Sequence, residues 1–215
     1  MRLYYYLIFF ILIHAISCKE SSYQNLGEYL RLNVGADELT IAEIKDSVVI
    51  DLYYKTPPLM GFDFKSSSAA MQFIDTARVM MNKKSQQFIK VNIHSNQQIL
   101  EYNYPIADLA VNQIGMDITT LFLQNFLSGQ NEQNARYVDL DKISLEDLFN
   151  LNTVNEQIQS NVQITNITFD GFSTHNSEPH NVEFRGNLQG ESEVFPFVSQ
   201  YDKNKKKIFY FGINE

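Results

Sequence analysis

Apolar and polar residues alternate strictly in several short stretches of this chain, and other stretches show three-and-four spacing. Within 47–55, Val48, Ile50, Leu52 and Tyr54 fall on one side of an extended strand. Ile89, Val91 and Ile93 do the same within 88–94, set against Phe88, Lys90, Asn92 and His94. Thr40 with Glu43 has the form of a capping box, so helix and strand compete across 40–54. The run of β-branched residues at 48–50 favours a strand for 47–55. Pro57-Pro58 ends it. Ser95-Asn96 makes a turn, and Gln98 to Tyr104 returns as the hairpin partner.

Helical spacing appears in four places. Leu26, Tyr29, Leu30 and Asn33 predict a short helix over 24–33. Ala70, Phe73, Ile74, Ala77 and Met81 predict one over 66–83, with the serines 66–68 offering the N-cap and Lys83 and Lys84 at the end where cations are favoured. Pro105 opens a third helix that stops at Gly129, with Ile114, Ile118, Leu121 and Phe122 on its apolar side and Gly115 as a weak point near its middle. After a polar bridge over 130–143, Ser144 caps a fourth helix that has Glu146 and Asp147 in its first turn and runs to Gln157. The remainder alternates as strands over 162–172, 181–189, 194–201 and 207–213, with a lysine-rich hairpin tip at 202–206.

These elements predict an α+β fold, two-layered, with a mostly antiparallel sheet, helices packed on one face and a strand-rich C-terminal third. The expected organisation is a leader over 1–17, a polar tether over 18–25, an α+β unit over 26–130, a linker and helix over 131–160, and an antiparallel region over 161–215 that belongs to the same domain or to a second one. No repeat of fixed period is present.

The first eighteen residues stand apart. Arg2 is followed by the apolar run Leu3 to Ile13 and then His14-Ala15-Ile16-Ser17-Cys18. A charged start, an apolar middle and small residues before a cut describe a secretory signal peptide. The run falls short of the roughly 20 apolar residues that span a bilayer. Ala15-Ile16-Ser17-Cys18 resembles the lipobox of bacterial lipoproteins, although Ala15 stands where that class more often has Leu. The resemblance implies that Cys18 is acylated, for example with palmitate, and becomes the new N-terminus, so that the membrane is a partner through acyl chains. Ala15 and Ser17 also fit an ordinary secretory cut. Cys18 is the one cysteine of the chain, which excludes an intrachain disulfide.

Composition narrows the classes of function. Hydrophobic content of 44% and charged content of 20% are those of a globular protein. The net charge of −8 argues against nucleic acid as a partner and against electrostatic adhesion to anionic lipid. Sixteen Phe and twelve Tyr suit strands better than a helical bundle.

Candidate chemistry is thin. His175, Glu178 and His180 place two imidazoles and a carboxylate in one polar connection, ligand types that suit zinc, but the spacing matches no metal motif and a solvated loop explains it. Asp139, Asp141, Glu146 and Asp147 resemble the start of a calcium loop, yet Ser144 and Asn150 stand where its Gly and Glu belong, and an acid-enriched helix start explains them. His94 lies on the polar face of its strand, where a general base and a solvated histidine look alike. The aromatics Phe195, Phe197, Phe209, Tyr210 and Phe211 fit a core or a groove. The phosphate-loop, nucleophile-elbow and His-Glu-x-x-His motifs are absent, and nothing implies a cofactor.

The expectation is therefore a lipid-anchored envelope protein with a non-catalytic binding role toward a protein partner or ligand. The alternatives are an envelope hydrolase and an inhibitor of a basic partner. A hydrolase requires His94, or His175 with His180, to meet a carboxylate in a concave pocket. A binding module requires an exposed patch without such a meeting.

Overall fold

In β2 (Ser47–Tyr54), Val48, Ile50, Leu52 and Tyr54 are buried, whereas Val49, Asp51 and Tyr53 face the other way. Each large buried aliphatic side chain contributes roughly 1.5–3 kcal/mol. A one-residue slip would exchange the buried set for a carboxylate and a phenol, so this pattern holds the register. This computed structural model of the chain describes residues 23, 25–58, 61–77, 86–96, 98–175 and 178–213. The leader, Cys18 and the expected tether as far as residue 22 lie outside them, as do Met81, Lys83 and Lys84 of the second expected helix.

The fold is α+β with two four-stranded, mostly antiparallel sheets. Helix α1 spans 25–34. The first sheet follows chain order: β1 (Glu38–Ile44), β2, β3 (Phe88–Ser95) and β4 (Gln98–Pro105). β1 with β2 and β3 with β4 are antiparallel hairpins, whereas β2 and β3 run parallel and are joined through α2 (Phe62–Ala77). The expected capping box at Thr40–Glu43 is instead part of β1, because Leu39 and Ile41 pack inward against the core shared with β2. Lys45 makes the tight turn between the two strands at φ 56°.

α2 starts at Phe62, four residues before the serines expected to cap it. Ser66, Ser67 and Ser68 are buried inside the helix, where their small size lets other backbone come close. Ser67 Oγ accepts the Phe172 N–H at 2.8 Å and donates to the Phe172 carbonyl at 2.7 Å, across 105 residues of chain. Ser66 Oγ lies 2.6 Å from the Tyr104 hydroxyl. Next to Phe172, Gly171 has φ +137°, and a Cβ there would sit 2.2 Å from the Phe64 carbonyl oxygen. Only glycine fits that approach.

α3 (Ile106–Leu127) turns to the core a side that matches the expected one in part: Phe122 is buried and Ile118 packs against the core, but the side is centred elsewhere. Leu109, Asn112, Gly115, Thr119, Phe122, Leu123 and Phe126 are buried, while Ile114 and Leu121 are each 44% exposed. The reason lies in Gly115: a Cβ there would come within 2.8 Å of the Phe184 and Tyr201 rings. The helix sets Gly115 under these two rings, packs Phe122 and Phe126 against Phe211, and leaves Ile114 and Leu121 outward. Gly129 ends the helix region at φ +69°.

The polar bridge is structured rather than a linker. A 3-10 helix, Asn131–Arg136, buries Asn131 and Asn134, and Asn134 Nδ2 donates to the Phe122 carbonyl at 3.1 Å. Residues 137–139 then run beside β8 (Lys207–Ile213): the Asp139 N–H donates to Ile208 at 2.7 Å, and the Ile208 N–H donates to Tyr137 at 2.9 Å. Lys205 Nζ lies 2.6 Å from Asp139 Oδ2, and Lys207 Nζ donates to the Arg136 carbonyl. Lys205 and Lys207 thus tie down this edge. α4 (Leu145–Asn161) begins with the expected cap, a box between Ser144 and Asp147, and extends past Gln157. The second sheet is the antiparallel meander β5 (Ile164–His175), β6 (Glu178–Gly190), β7 (Val194–Asp202) and β8. Its Phe184, Leu188, Phe197 and Tyr201 share one buried cluster with the inner side chains of the first sheet.

Replacing Ser67 by Ala leaves the buried Phe172 N–H without a partner, and a loss of roughly 1–3 kcal/mol is expected in urea unfolding. Gly171→Ala should lose more than Ser67→Ala, since it adds backbone strain and a steric clash; equal midpoints for the two variants would contradict this contact. Lys205 holds the Asp139 carboxyl below its ordinary range, and Ser144 does the same for Asp147. Both groups therefore stabilise the fold fully above the usual carboxylate range and lose that contribution as pH falls through their lowered values. An Asp139→Asn, Asp147→Asn double variant should show a flatter acid limb in a stability–pH profile.

Candidate functional site

The side of the first sheet facing away from α2 carries two rows of residues that cross all four strands. One row is Thr40, Asp51, Asn92 and Glu101; the other is Glu38, Tyr53, His94 and Ile99. Strand alternation puts them there, because their neighbours in the chain point into the core. α1 and α2 pack on the opposite, inner face, where Gly27 approaches Leu39 and Ile41, and Tyr23 stacks on Phe73.

Asp51 is the hub. Its Oδ1 receives Asn92 Nδ2 at 3.0 Å and lies 2.9 Å from His94 Nε2, while its Oδ2 receives Thr40 Oγ1 at 3.4 Å. A carboxylate only accepts, so His94 must donate from Nε2 and leave Nδ1 free. The Asp51 and His94 side chains keep about a quarter of their surface in water, 23% and 26%. Tyr53 stacks on His94 with ring centroids 4.3 Å apart and an interplanar angle of 14°. The two rings stand side by side on neighbouring strands, which fixes the imidazole from its flank while Asp51 fixes it from its edge.

Parallel pairing brings the carboxyl ends of β2 and β3 together, the end of a sheet where ligands commonly sit. A cleft of about 490 Å³ opens there, lined by Asp37, Glu38, Tyr53, His94, Gln98 and Ile99 among others. Tyr54 closes the inner wall: its hydroxyl donates to the Val34 carbonyl at 3.1 Å, and burial pushes its pKa well up, so it stays a donor. Asp37 Oδ2 accepts the Lys55 N–H at 2.7 Å, which pins the chain as it leaves β2.

Of the residues singled out in the sequence, His94 lines the cleft and is held by a carboxylate, Asp51, which is not itself part of the cleft's lining. Among the described residues no hydroxyl or thiol is bonded to its ring. Ser95, next in the chain, is half-buried and lies on the inner side of the sheet by alternation. The connection expected from 173 to 180 is mostly strand: β5 runs to His175 and β6 begins at Glu178. Glu178 accepts a hydrogen bond from Asn181 Nδ2, and the His180 carbonyl accepts the Lys203 N–H at 2.9 Å. These contacts tie neighbouring turns rather than converge on one point. No cluster of three His, Cys, Asp or Glu side chains gathers as metal ligands among the described residues. Most of the aromatic stripe is core, with Phe197 buried and Phe211 packed 4.8 Å from Phe122, while Tyr210 is half-exposed.

Asp51, Asn92 and Tyr53 were not singled out as site residues from the sequence, and Thr40 was read only as half of a capping box. The first three stand on the polar half of two alternating strands, which the parallel pairing of β2 with β3 brings together, and antiparallel β1 adds Thr40 beside Asp51. Comparison of the chain with protein-family models, with curated proteins and with solved structures finds no match to any of them.

Two-bond nitrogen–proton NMR correlations should show neutral His94 as a single tautomer carrying its proton on Nε2. Asp51→Ala should turn it into a mixture, and an unchanged spectrum would remove Asp51 as the group that holds the ring.

Proposed function

We propose that the protein is a lipid-anchored component of the cell envelope whose folded body binds a partner through the outer face of its first sheet. The reading of the leader supports the anchor: acylation of Cys18 accounts for a single cysteine, and two or more acyl chains hold a protein stably at a bilayer. The observation that carries the binding role is the Asp51 hub, which holds Asn92 and His94 in place on a sheet face that no helix covers among the described residues. Groups ordered before binding lose little freedom on contact, so they favour recognition. Glu38 and Glu101 flank the hub on the outer strands. With the net charge of −8, this face suits a partner rich in hydrogen-bond donors or basic groups, as an inhibitor of a basic protein would meet.

His94, which lines the cleft and is held by Asp51, also favours a second reading, an envelope hydrolase in which His94 acts as a general base through Nδ1.

Radiolabelled palmitate should enter the intact protein, and Cys18→Ser should release it from membranes; a variant just as membrane-bound as the parent would overturn the anchor. Pull-down of the intact protein from solubilised membranes should retain one stoichiometric partner, and Asp51→Ala or Tyr53→Ala should weaken retention roughly tenfold each. Retention indifferent to both changes would move the contact surface elsewhere. No partner, together with turnover of an envelope substrate that disappears in His94→Ala, would replace the binding role by the hydrolase.

A further inference from the structure

The edge strands of the two sheets are covered unequally. In the second sheet, Ser67 of α2 bonds both backbone groups of Phe172 on edge strand β5, and residues 137–139 bond to Ile208 on edge strand β8. In the first sheet, β4 ends on Pro105, which has no N–H, and the chain turns at once into α3. β1 has no such cover. Among the described residues, no group outside β2 bonds to the backbone of Glu38–Ile44. Every second residue of an antiparallel edge strand turns its N–H and C=O away from the sheet. One kind of partner matches such a row in spacing and in the order of donors and acceptors, and that is another extended backbone.

The side chains of β1 narrow the choice. Glu38 and Glu43 are its charged residues, and the strand holds no Lys, Arg or His. Arg31, which reaches the Ala36 and Asp37 carbonyls just before β1, is already paired with Glu28 at 2.7 Å. Lys45 lies past the other end, in the turn to β2. On the inner side Leu39 and Ile41 stand beside Gly27 of α1, and Glu43 follows them, bonded by the Tyr23 hydroxyl. On the outer side stand Glu38, Thr40 and Ala42, the first two at the head of the rows that contain Tyr53 and Asp51.

We propose that β1 takes an extended segment of the partner as a fifth, antiparallel strand of the first sheet. The segment alternates, with Lys or Arg opposite Glu38 and Glu43 and apolar side chains opposite Leu39 and Ile41. Opposite charges facing each other across a ladder favour the pairing, and antiparallel strands pair slightly better than parallel ones. A second copy of the chain would bring the same two acids to the edge and no base to meet them. The inference rests on the binding role proposed for the outer face of this sheet and adds the form of the partner to it. An added strand lengthens the Glu38 and Thr40 rows by one position, so its outward side chains continue the surface that holds Asp51 and His94.

A synthetic peptide, Thr-Lys-Val-Ile-Thr-Val-Lys-Thr, blocked at both ends, sets its lysines opposite Glu43 and Glu38 when it lies antiparallel on β1. It should bind the intact solubilised protein and slow amide hydrogen exchange in β1, while the same residues in scrambled order should do neither. N-methylation of alternate peptide residues should abolish binding for one of the two sets and spare it for the other, since one set faces β1. Glu38→Lys combined with Glu43→Lys should weaken binding roughly tenfold at an unchanged melting temperature. No binding, equal effects of the two methylated sets, or binding without slowed exchange in β1 overturns the added strand. A dimer of the protein alone that protects β1 without peptide gives the edge to a second copy and overturns it too. In the pull-down from membranes, the double charge reversal should release the partner. Release by Asp51→Ala but not by the charge reversal overturns this inference and leaves the binding role standing. Release by the charge reversal but not by Asp51→Ala or Tyr53→Ala overturns the outer face as the contact and leaves the edge.

Discussion

The two sheets of this protein meet where α2 gives up side-chain bulk. Ser67 fits between helix and strand because it is small, and its hydroxyl both accepts from and donates to the backbone of Phe172. Gly171 completes the contact by letting the Phe64 carbonyl lie where a Cβ would otherwise be. A buried backbone group must find a partner or cost the fold a few kcal/mol, so an edge strand whose unpaired side is covered by a helix, as β5 is, needs such a hydroxyl. Gly115 repeats the theme on α3, beneath Phe184 and Tyr201. Glycines and serines, which by propensity weaken helices, here determine where helices and strands can touch.

That contact orients everything outside it. With α2 held between the first sheet and β5, the inner side of the first sheet is filled by Val48, Ile50, Leu52, Ile89, Val91 and Ile93. The outer side is then left to Thr40, Asp51, Tyr53, Asn92 and His94. The same alternation therefore builds the core and displays the hub. Parallel pairing of β2 and β3 adds what alternation alone lacks, by placing Tyr53 beside His94 and the two strand ends around one cleft.

A polar hub beside a cleft serves recognition and general-base chemistry with the same parts, and what separates them is the next group along. Asp51 orients His94, but among the described residues no nucleophilic side chain takes its free nitrogen. A surface in which donors and acceptors are already tied to one another, flanked by Glu38 and Glu101, suits a partner that brings its own donors. The proposed binding role draws on that balance, and the proposed anchor draws on the reading of the leader.

Much of the architecture was legible in the chain itself. Period-two alternation identified β2, β3 and the four C-terminal strands, Ser144 with the acids of the turn after it identified the start of α4, and the α+β class followed from their order. These signals are local, since a strand's pleat and a helix cap are decided by residues a few positions apart. What tertiary structure decided was non-local. It made β1 a strand despite its capping-box form, because Leu39 and Ile41 gain burial against the core shared with β2. It moved the serines 66–68 from a cap to a buried contact and turned Ile114 and Leu121 outward so that Gly115 could lie under two rings. It joined Asp51 to His94, which no spacing in the sequence announces, because strand pairing and close approach depend on what lies across the core rather than on what lies next in the chain.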